Sequence, residues 1–243
     1  MDITSYDILL ILAILTALIL FSILSKSLKM DLRIRNFIFY IFPIVFLFGF
    51  LSSWIFQGFY DYLKSGVVRL DENTGITFYG GLIGGLLTFI LIYFTTVHFL
   101  FKDKIYLTEF NKLINIIFTI IPISHAIGRI GCFINGCCYG KETTSFIGIY
   151  HDGIKLIPTQ LIEALFLFIL FLISLKLLFK KKNILPIYLI SYGLFRFIIE
   201  YFRGDERGAS IVDFLSPSQF ISLILIIVGI IFVFIYKHKK RRS

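Results

Sequence analysis

Long apolar segments limit what this chain can fold into. Of its 243 residues, 58% are hydrophobic and 16% are charged, and the mean hydropathy is +0.89. Soluble domains are roughly 45–50% apolar, and about 20 consecutive apolar residues let a helix cross a bilayer. The sequence therefore predicts an all-α polytopic membrane helix bundle with seven transmembrane helices, a single integral membrane domain over 1–243. The approximate predicted helices are 7–24, 37–59, 80–101, 113–133, 159–179, 184–202 and 218–236.

The charged residues lie mainly in the loops between these segments. The net charge of +9 therefore does not indicate nucleic-acid binding. It predicts an orientation instead, because short basic loops stay on the cytoplasmic side of a membrane. The loops after the first, third and fifth segments and the tail after the seventh are basic. The loops after the second, fourth and sixth segments hold acidic residues, which are Asp71 and Glu72, Glu142 and Asp152, and Asp205, Glu206 and Asp213. This alternation predicts an N-terminus outside and a cytoplasmic C-terminus.

Polar residues within the apolar segments concentrate at the predicted outer ends. A charged side chain costs roughly 2.5 kcal/mol or more at the bilayer centre unless it faces protein or a wet cavity. Polar groups confined to one side therefore predict a pocket open to the outer half of the membrane, and not a channel. The polar groups and helix-opening glycines on this side are Tyr79, Gly80, Gly81, Arg129, Asn135, Glu163, Arg196, Glu200 and Arg203.

Two sets of these residues share helix faces. His125 and Arg129 are four positions apart, and Arg196, Glu200 and Arg203 follow one another at i, i+4 and i+7. Arginine binds phosphate bidentately, so arginines from two helices that face one pocket would make a phosphate site. Structural ion pairs that hold the bundle together are the alternative.

Four motifs follow one another along the chain. They are YGGLIGG at 79–85, GRIGCFINGCCYG at 128–140, IPTQLIEA at 157–164 and YGLFRFIIEYFR at 192–203. In order and spacing they resemble the signature segments of the bacterial prolipoprotein diacylglyceryl transferases, and PSQFISL at 217–223 is a weaker match to the last helix of that family. The resemblance covers the chain from Tyr79 to its C-terminus.

The resemblance implies a multi-pass enzyme of the bacterial inner (plasma) membrane that needs no cofactor. Such an enzyme moves a diacylglyceryl group from phosphatidylglycerol to the lipobox cysteine of a prolipoprotein signal peptide, at the outer half of the membrane. The alternative is a protein of the same fold that binds phospholipid or transfers a lipid group to another acceptor. Membrane lipids are expected partners, and nucleic acid is not.

The resemblance and the spacing together assign site residues. The expected catalytic residues are Arg129, Arg196, Tyr79 and His125, in which the arginines hold the phosphate. The expected substrate-binding residues are Asn135, Gly136, Gly80, Gly81, Glu163, Glu200 and Arg203, in which the two glutamates orient the arginines. Glycines such as those that open the third helix more often let helices pack closely.

Three positions depart from the family pattern. Tyr79 stands where the family has a histidine, Cys132 where it has an asparagine, and Cys137 where an acidic residue is common. Tyr79 could still contact the phosphate through its phenol. The base is therefore expected to be Tyr79 or His125, the latter of which shares a helix face with an arginine.

The three cysteines are expected to form a disulfide or a thiol cluster on the outer side, where disulfides persist. A bridge from Cys132 to Cys137 or Cys138 would stiffen the turn between them. A redox or thiol-transfer role and simple packing remain open alternatives. No metal site is predicted, because the spacing is not a known zinc pattern, although three thiolates with His125 or His151 could bind a metal ion.

Overall fold

Seven α-helices and one short hairpin make up the described part of the chain. The computed structural model describes residues 4–67, 70–71, 74, 78–100, 105–204 and 214–242. Its helices are α1 (Ser5–Ser27), α2 (Leu32–Ser65), α3 (Phe78–Leu100), α4 (Ile105–Ile134), α5 (Thr159–Phe179), α6 (Ile184–Ile199) and α7 (Pro217–Arg242). Strands β1 (Ile149–His151) and β2 (Ile154–Leu156) precede α5, and a 3-10 turn (Glu200–Phe202) extends α6.

The helices confirm the predicted helical fold class. Six of them are long and apolar enough to cross a membrane, and in α3 the apolar part is the shorter stretch Gly80–Thr95. The chain is therefore a multi-pass membrane protein, while the seventh span and the orientation of the termini stay predictions. The largest boundary error is at α4, which begins at Ile105 and not near residue 113.

Close approach of α2 and α3 characterises the first of two compact units, Ser27–Lys112. A Cβ added to Gly80 would lie 2.6 Å from the Cβ of Phe56, and one added to Gly81 would lie 3.4 Å from the Cβ of Ser53. Small residues therefore let these two helices pack closely. Close helix packing is the role that glycines at the start of a membrane helix more often have. A role of Gly80 and Gly81 in substrate binding stays a prediction.

Polar contacts fix the ends of the helices in this unit. Asp31 is the N-cap of α2, where its carboxylate accepts a hydrogen bond of 2.8 Å from the backbone N–H of Arg33. The Arg33 guanidinium hydrogen-bonds the same carboxylate and lowers the pKa of Asp31. Tyr93, which is fully buried, donates to the carbonyl of Tyr106 at 2.9 Å and so joins α3 to the start of α4.

The second unit, Met1–Lys26 with Leu113–Ser243, contains α5, α6 and α7. Buried Asn115 on α4 accepts a 2.7 Å hydrogen bond from the backbone N–H of Ile184, one of the N–H groups that a helix start leaves without an intrahelical partner. Gly193 lets α6 approach α7, since an added Cβ would lie 3.0 Å from the carbonyl oxygen of Ser222. These contacts hold α6 at a fixed depth and rotation within the unit.

Candidate active site

A single buried carboxylate gathers charged side chains from two other helices. Glu163 lies in the second turn of α5 and is fully buried. Its Oε2 atom lies 3.1 Å from Nε of Arg129 on α4 and 3.5 Å from Nη1 of Arg196 on α6. Arginines from two separate helices therefore meet at one point inside the second unit.

The other oxygen of this carboxylate contacts two aromatic rings. Tyr192 donates a hydrogen bond of 3.0 Å from its hydroxyl to Oε1 of Glu163, and Nε2 of His125 lies 3.8 Å from the same atom. The two rings meet edge to face, with centroids 5.3 Å apart. Both carboxylate oxygens are thus engaged, which fixes the orientation of the group.

Arg196 reaches a second carboxylate through its other terminal nitrogen. Nη2 lies 2.9 Å from Oε2 of Glu200 and donates to Oγ of Ser218 on α7 at 3.0 Å. Glu200 in turn accepts a 3.0 Å hydrogen bond from the hydroxyl of Ser216. With 5% of its surface exposed, Arg196 is clamped between two acids and joins α5, α6 and α7.

These contacts offset a large cost of burial. Removing an ion from water costs several kcal/mol, and attraction to a buried partner offsets this only when the geometry is good. Here two arginines, Arg129 and Arg196, oppose two glutamates, Glu163 and Glu200, so the formal charges of these four residues cancel. Loss of any one of them would leave an unbalanced charge inside the unit.

The end of α4 is shaped by a Schellman motif, a common way to end a helix. The backbone N–H of Gly136 donates to the carbonyl of Phe133 at 3.1 Å, and that of Cys137 donates to the carbonyl of Cys132 at 3.0 Å. The motif needs a left-handed residue, which Gly136 supplies with φ of 63°. The turn brings the cysteine pair that follows it back onto the last turn of α4.

The three cysteines form a thiol cluster at this turn. Their sulfur atoms all lie within 4.8 Å of one another, and all three cysteine side chains are half-buried. The Cys132 thiol donates a hydrogen bond to the Cys138 sulfur, and with help from the Arg203 guanidinium it lowers the pKa of Cys138 to about 4. Burial raises the pKa of Cys137. Whether a disulfide forms among them stays a prediction.

Buried side chains at the start of α5 hold the backbone of this cluster. Thr159 donates to the carbonyl of Cys138 at 2.9 Å, and Gln160 donates to the carbonyl of Cys137 at 2.6 Å. Both donors are at least 97% buried. The same first turns of α5 thus position two groups. One is the cysteine turn, residues 132–138. The other is the Glu163 cluster, which consists of Glu163 with Arg129, His125, Arg196 and Glu200.

The chain after this turn is tied to the end of α6. Gly140 pairs with Arg203 in a β-bridge, and the backbone N–H of Lys141 donates to the carbonyl of Phe202 at 2.8 Å. A Cβ on Gly140 would lie 2.7 Å from the carbonyl oxygens of Ile157 and Phe202, so only glycine fits there. Arg203 therefore secures the loop after α4 with its backbone as well as its side chain.

The predicted site residues do not all join the Glu163 cluster. The structure brings together Arg129, His125, Glu163, Arg196 and Glu200. Asn135 is exposed, and Gly136 shapes the turn. The side chain of Tyr79 lies outside the described residues, so its expected contact with phosphate is a prediction still.

Four residues of this region were missed by the sequence analysis. Tyr192 precedes Arg196 by four positions, and Gln160 precedes Glu163 by three, so helical spacing alone could have placed each on the face of its neighbour. Thr159 and Ser218 come from helix starts, where no such spacing rule points to a charged partner.

Charged residues are rare in membrane-spanning helices and usually face protein or water, so the buried arginine–glutamate cluster places this chain in the class of helical membrane proteins with a polar site at the ends of their spans. The family model for prolipoprotein diacylglyceryl transferase matches residues 1–235, so the chain belongs to that family.

Curated relatives of this chain are named as enzymes of that family. The chain is 37% identical over 174 residues to phosphatidylglycerol–prolipoprotein diacylglyceryl transferase of Clostridium tetani. The matched region is 68% of this chain and 65% of the relative. It is 37% identical to enzyme 2 of that name from Clostridium perfringens, over 71% of this chain and 67% of the relative. The Streptococcus uberis enzyme is 32% identical over 94% of this chain and 90% of its own length.

Proposed function

We propose that this chain transfers a diacylglyceryl group from phosphatidylglycerol to a cysteine thiol of a prolipoprotein. The names of its relatives supply the reaction, and the convergence of Arg129 and Arg196 on Glu163 is the observation in this molecule that carries it. The donor lipid has an anionic phosphate within the membrane surface, and preorganised guanidinium groups stabilise such a charge.

The two arginines have different capacities to bind that phosphate. Arg196 uses both terminal nitrogens on Glu163, Glu200 and Ser218. Arg129 meets Glu163 through Nε, and its side chain is 13% exposed. A guanidinium has two further nitrogens in a planar fork, so Arg129 is the better phosphate contact. Arg196 is then a positioning residue that holds Glu163, and through it Arg129, in place.

The reaction needs a thiolate and a stabilised leaving group. The acceptor sulfur attacks the glyceryl carbon that bears the phosphate, and a carbon–sulfur bond forms as the carbon–oxygen bond breaks. The electron pair of that bond leaves on the phosphate oxygen, so the second product is glycerol phosphate. Arg129 would neutralise the charge that develops on this oxygen, which is where electrostatic catalysis has its largest effect.

The proposed location of the reaction is the outer half of the membrane. The concentration of basic residues in alternate loops favours seven spans with the N-terminus outside, which would put the Glu163 cluster and the cysteine turn in the outer half of the membrane. The acceptor cysteine would be that of the lipobox in a prolipoprotein signal peptide, and the membrane would be the inner membrane of a bacterium. The turn after α4 would then face the space from which such a peptide approaches.

The experiment is a transfer assay with purified full-length protein. The protein is incubated with phosphatidylglycerol vesicles and a lipobox peptide, and the thioether product is detected by mass spectrometry. We expect product with the cysteine peptide and none with a serine peptide or with phosphatidylcholine vesicles. Arg129→Ala should lower the rate about 10²- to 10³-fold, whereas the matched control Arg33→Ala, an exposed arginine at the start of α2, should keep it.

Absence of product from wild-type protein, with and without reductant, would reject this function. The alternative function, phospholipid binding without transfer, would then be tested by equilibrium binding of phosphatidylglycerol to the same preparation. Full activity of Arg129→Ala would reject the role of Arg129 while leaving the reaction itself in place.

A further inference from the structure

The cysteine turn contains a set of ligands that the Glu163 cluster does not use. Cys132, Cys137 and Cys138 place three sulfur atoms within 4.8 Å of one another. Zinc binds thiolate sulfurs at about 2.3 Å, so the sulfurs of a tetrahedral site are about 3.8 Å apart, and closing this set requires movements of about 1 Å or less. Rotation of the cysteine side chains supplies movements of this size without a change in the backbone.

The backbone that carries these sulfurs is already fixed. The Schellman motif at Gly136 sets the distance between Cys132 and Cys137, and the buried donors Gln160 and Thr159 hold the carbonyls of Cys137 and Cys138. A preformed set of soft ligands selects a soft or borderline metal ion such as zinc. Three sulfurs on one short turn therefore meet the requirement of ligand number and position without folding of a further segment.

The charges around the cluster suit a thiolate-rich metal site. Three thiolates and one Zn²⁺ carry a net charge of −1. The Arg203 guanidinium hydrogen-bonds the Cys138 sulfur, and Arg129 lies one helical turn before Cys132 on the same face of α4. Arg203 would balance the charge of the complex and would act as the outer group that orients a ligand.

Three protein ligands leave one position of a tetrahedral zinc ion open, which is the arrangement of catalytic and not structural zinc. The cysteines are half-buried and therefore reachable. A cavity of about 90 Å³ next to the turn is lined by Gly136 and Gln160, the chain neighbour and the hydrogen-bond partner of Cys137. A cavity of this volume has room for a small side chain such as that of cysteine.

We propose that Cys132, Cys137 and Cys138 bind one zinc ion through their thiolates, and that the open fourth position binds the acceptor thiol of the transfer reaction. This inference rests on the proposed function for the identity of that thiol. Zinc deprotonates a coordinated thiol, and the proton leaves to water. The resulting thiolate attacks the glyceryl carbon, the carbon–oxygen bond breaks, and the pair of electrons leaves with the phosphate held by Arg129.

The first test measures metal binding without any reaction. Full-length protein in detergent is stripped of metal with a chelator under anaerobic, reducing conditions and titrated with Co²⁺, then with Zn²⁺. We expect one Co²⁺ per chain, a sulfur-to-cobalt charge-transfer band in the near ultraviolet, and displacement of cobalt by zinc. The variant with Cys132, Cys137 and Cys138 all changed to serine should lose the band and keep the circular-dichroism spectrum of the wild type.

The second test asks whether the fourth position accepts a thiol. A lipobox peptide is added to the cobalt-loaded protein, with the serine peptide as the matched control. We expect the cysteine peptide to strengthen the charge-transfer band and the serine peptide to leave it unchanged. Removal of zinc should lower the transfer rate about 10²-fold or more, the usual contribution of assisted deprotonation, and added Zn²⁺ should restore it.

Several results would overturn this inference and leave the proposed function intact. One is full transfer activity in protein that binds neither cobalt nor zinc. Another is a spectrum that the cysteine peptide does not change, since the metal would then be structural. A third is a disulfide among the three cysteines in active protein alkylated directly in membranes. Conversely, cobalt binding with a peptide response but no transfer to any acceptor would reject the proposed function and not the metal site.

Discussion

Glu163→Gln is the variant that most directly tests how the buried cluster is held together. Glutamine has nearly the same shape and keeps an oxygen that can accept the Tyr192 hydrogen bond. It removes the negative charge that faces Arg129 at 3.1 Å and Arg196 at 3.5 Å. Breaking a buried ion pair by removing one partner costs about 3–5 kcal/mol. We expect the free energy of unfolding to fall by about 3 kcal/mol, the low end of this range, because Glu200 continues to neutralise Arg196.

A second substitution separates charge from packing. In Arg129→Met with Glu163→Gln, one arginine is left opposite one glutamate, so the formal charges cancel again. If charge imbalance causes the loss, the double variant should be more stable than Glu163→Gln alone. The expected coupling between the two changes is at the upper end of about 0.5–3 kcal/mol, the range for residues in one network.

The assay is equilibrium unfolding of the full chain in mixed micelles of a mild detergent and dodecyl sulfate, followed by circular dichroism. The free energies of unfolding of wild type, the two single variants and the double variant complete one thermodynamic cycle. A Glu163→Gln protein within about 0.5 kcal/mol of wild type, the size of an ordinary surface effect, would refute the electrostatic account. So would a double variant that is no more stable than the Glu163→Gln single variant.

Two further predictions concern local structure and use the same unfolding assay. Gly136→Ala should lower the free energy of unfolding by about 1–2 kcal/mol, because the φ of this residue is 63° and an added Cβ would lie 2.8 Å from Nε2 of His151. Gly128→Ala, which adds a Cβ in open space within α4, should raise the free energy of unfolding by about 0.5–1 kcal/mol. Equal effects of the two glycine changes would contradict the assigned turn. Asn115→Leu should lower the free energy of unfolding by about 1–3 kcal/mol, because it leaves the buried N–H of Ile184 without its acceptor. Asn183→Ala should change the free energy of unfolding little, because the Asn183 side chain makes no capping hydrogen bond.

The helices could be predicted from sequence because apolar runs of spanning length have few alternatives in a membrane. The start of α4 could not, because a helix does not end where its residues become polar. Residues 105–112 include Glu109 and Lys112, which form a 2.7 Å ion pair one turn apart. Hydropathy marks the membrane boundary, and helical hydrogen bonding continues beyond it.

The turn residues of the hairpin before α5 predict it, whereas hydropathy does not. Asp152 and Gly153 have φ of 49° and 81°, and they join strands that pair His151 with Ile154. Asp-Gly between short apolar strands is a strong hairpin signal, because a type I′ turn needs positive φ at both central positions. A search for turn residues in the loop would have found it.

The partners of Glu163 could be predicted only as a group. Spacing places Arg129 and Arg196 each on a face of its own helix, but which carboxylate they share depends on how α4, α5 and α6 pack, and no local rule states this. The same holds for the cysteines, whose sulfurs meet because Gly136 reverses the chain. Residue types and faces follow from sequence, and contacts between elements do not.

The shared carboxylate also means that stability and activity are coupled at this site, so loss of activity alone says little about a role in the reaction. Arg129→Lys separates the two. It keeps the positive charge opposite Glu163, and stability should therefore stay within about 1 kcal/mol of wild type. It removes the planar fork that binds phosphate bidentately, and lysine does not replace arginine at such a site. Transfer should fall about 10- to 100-fold, a loss of about 1.4 to 2.7 kcal/mol in transition-state stabilisation. A fall in stability that matches the fall in rate would mean that Arg129 supports the bundle only, and wild-type rates in Arg129→Lys would mean that one point charge suffices for the donor lipid.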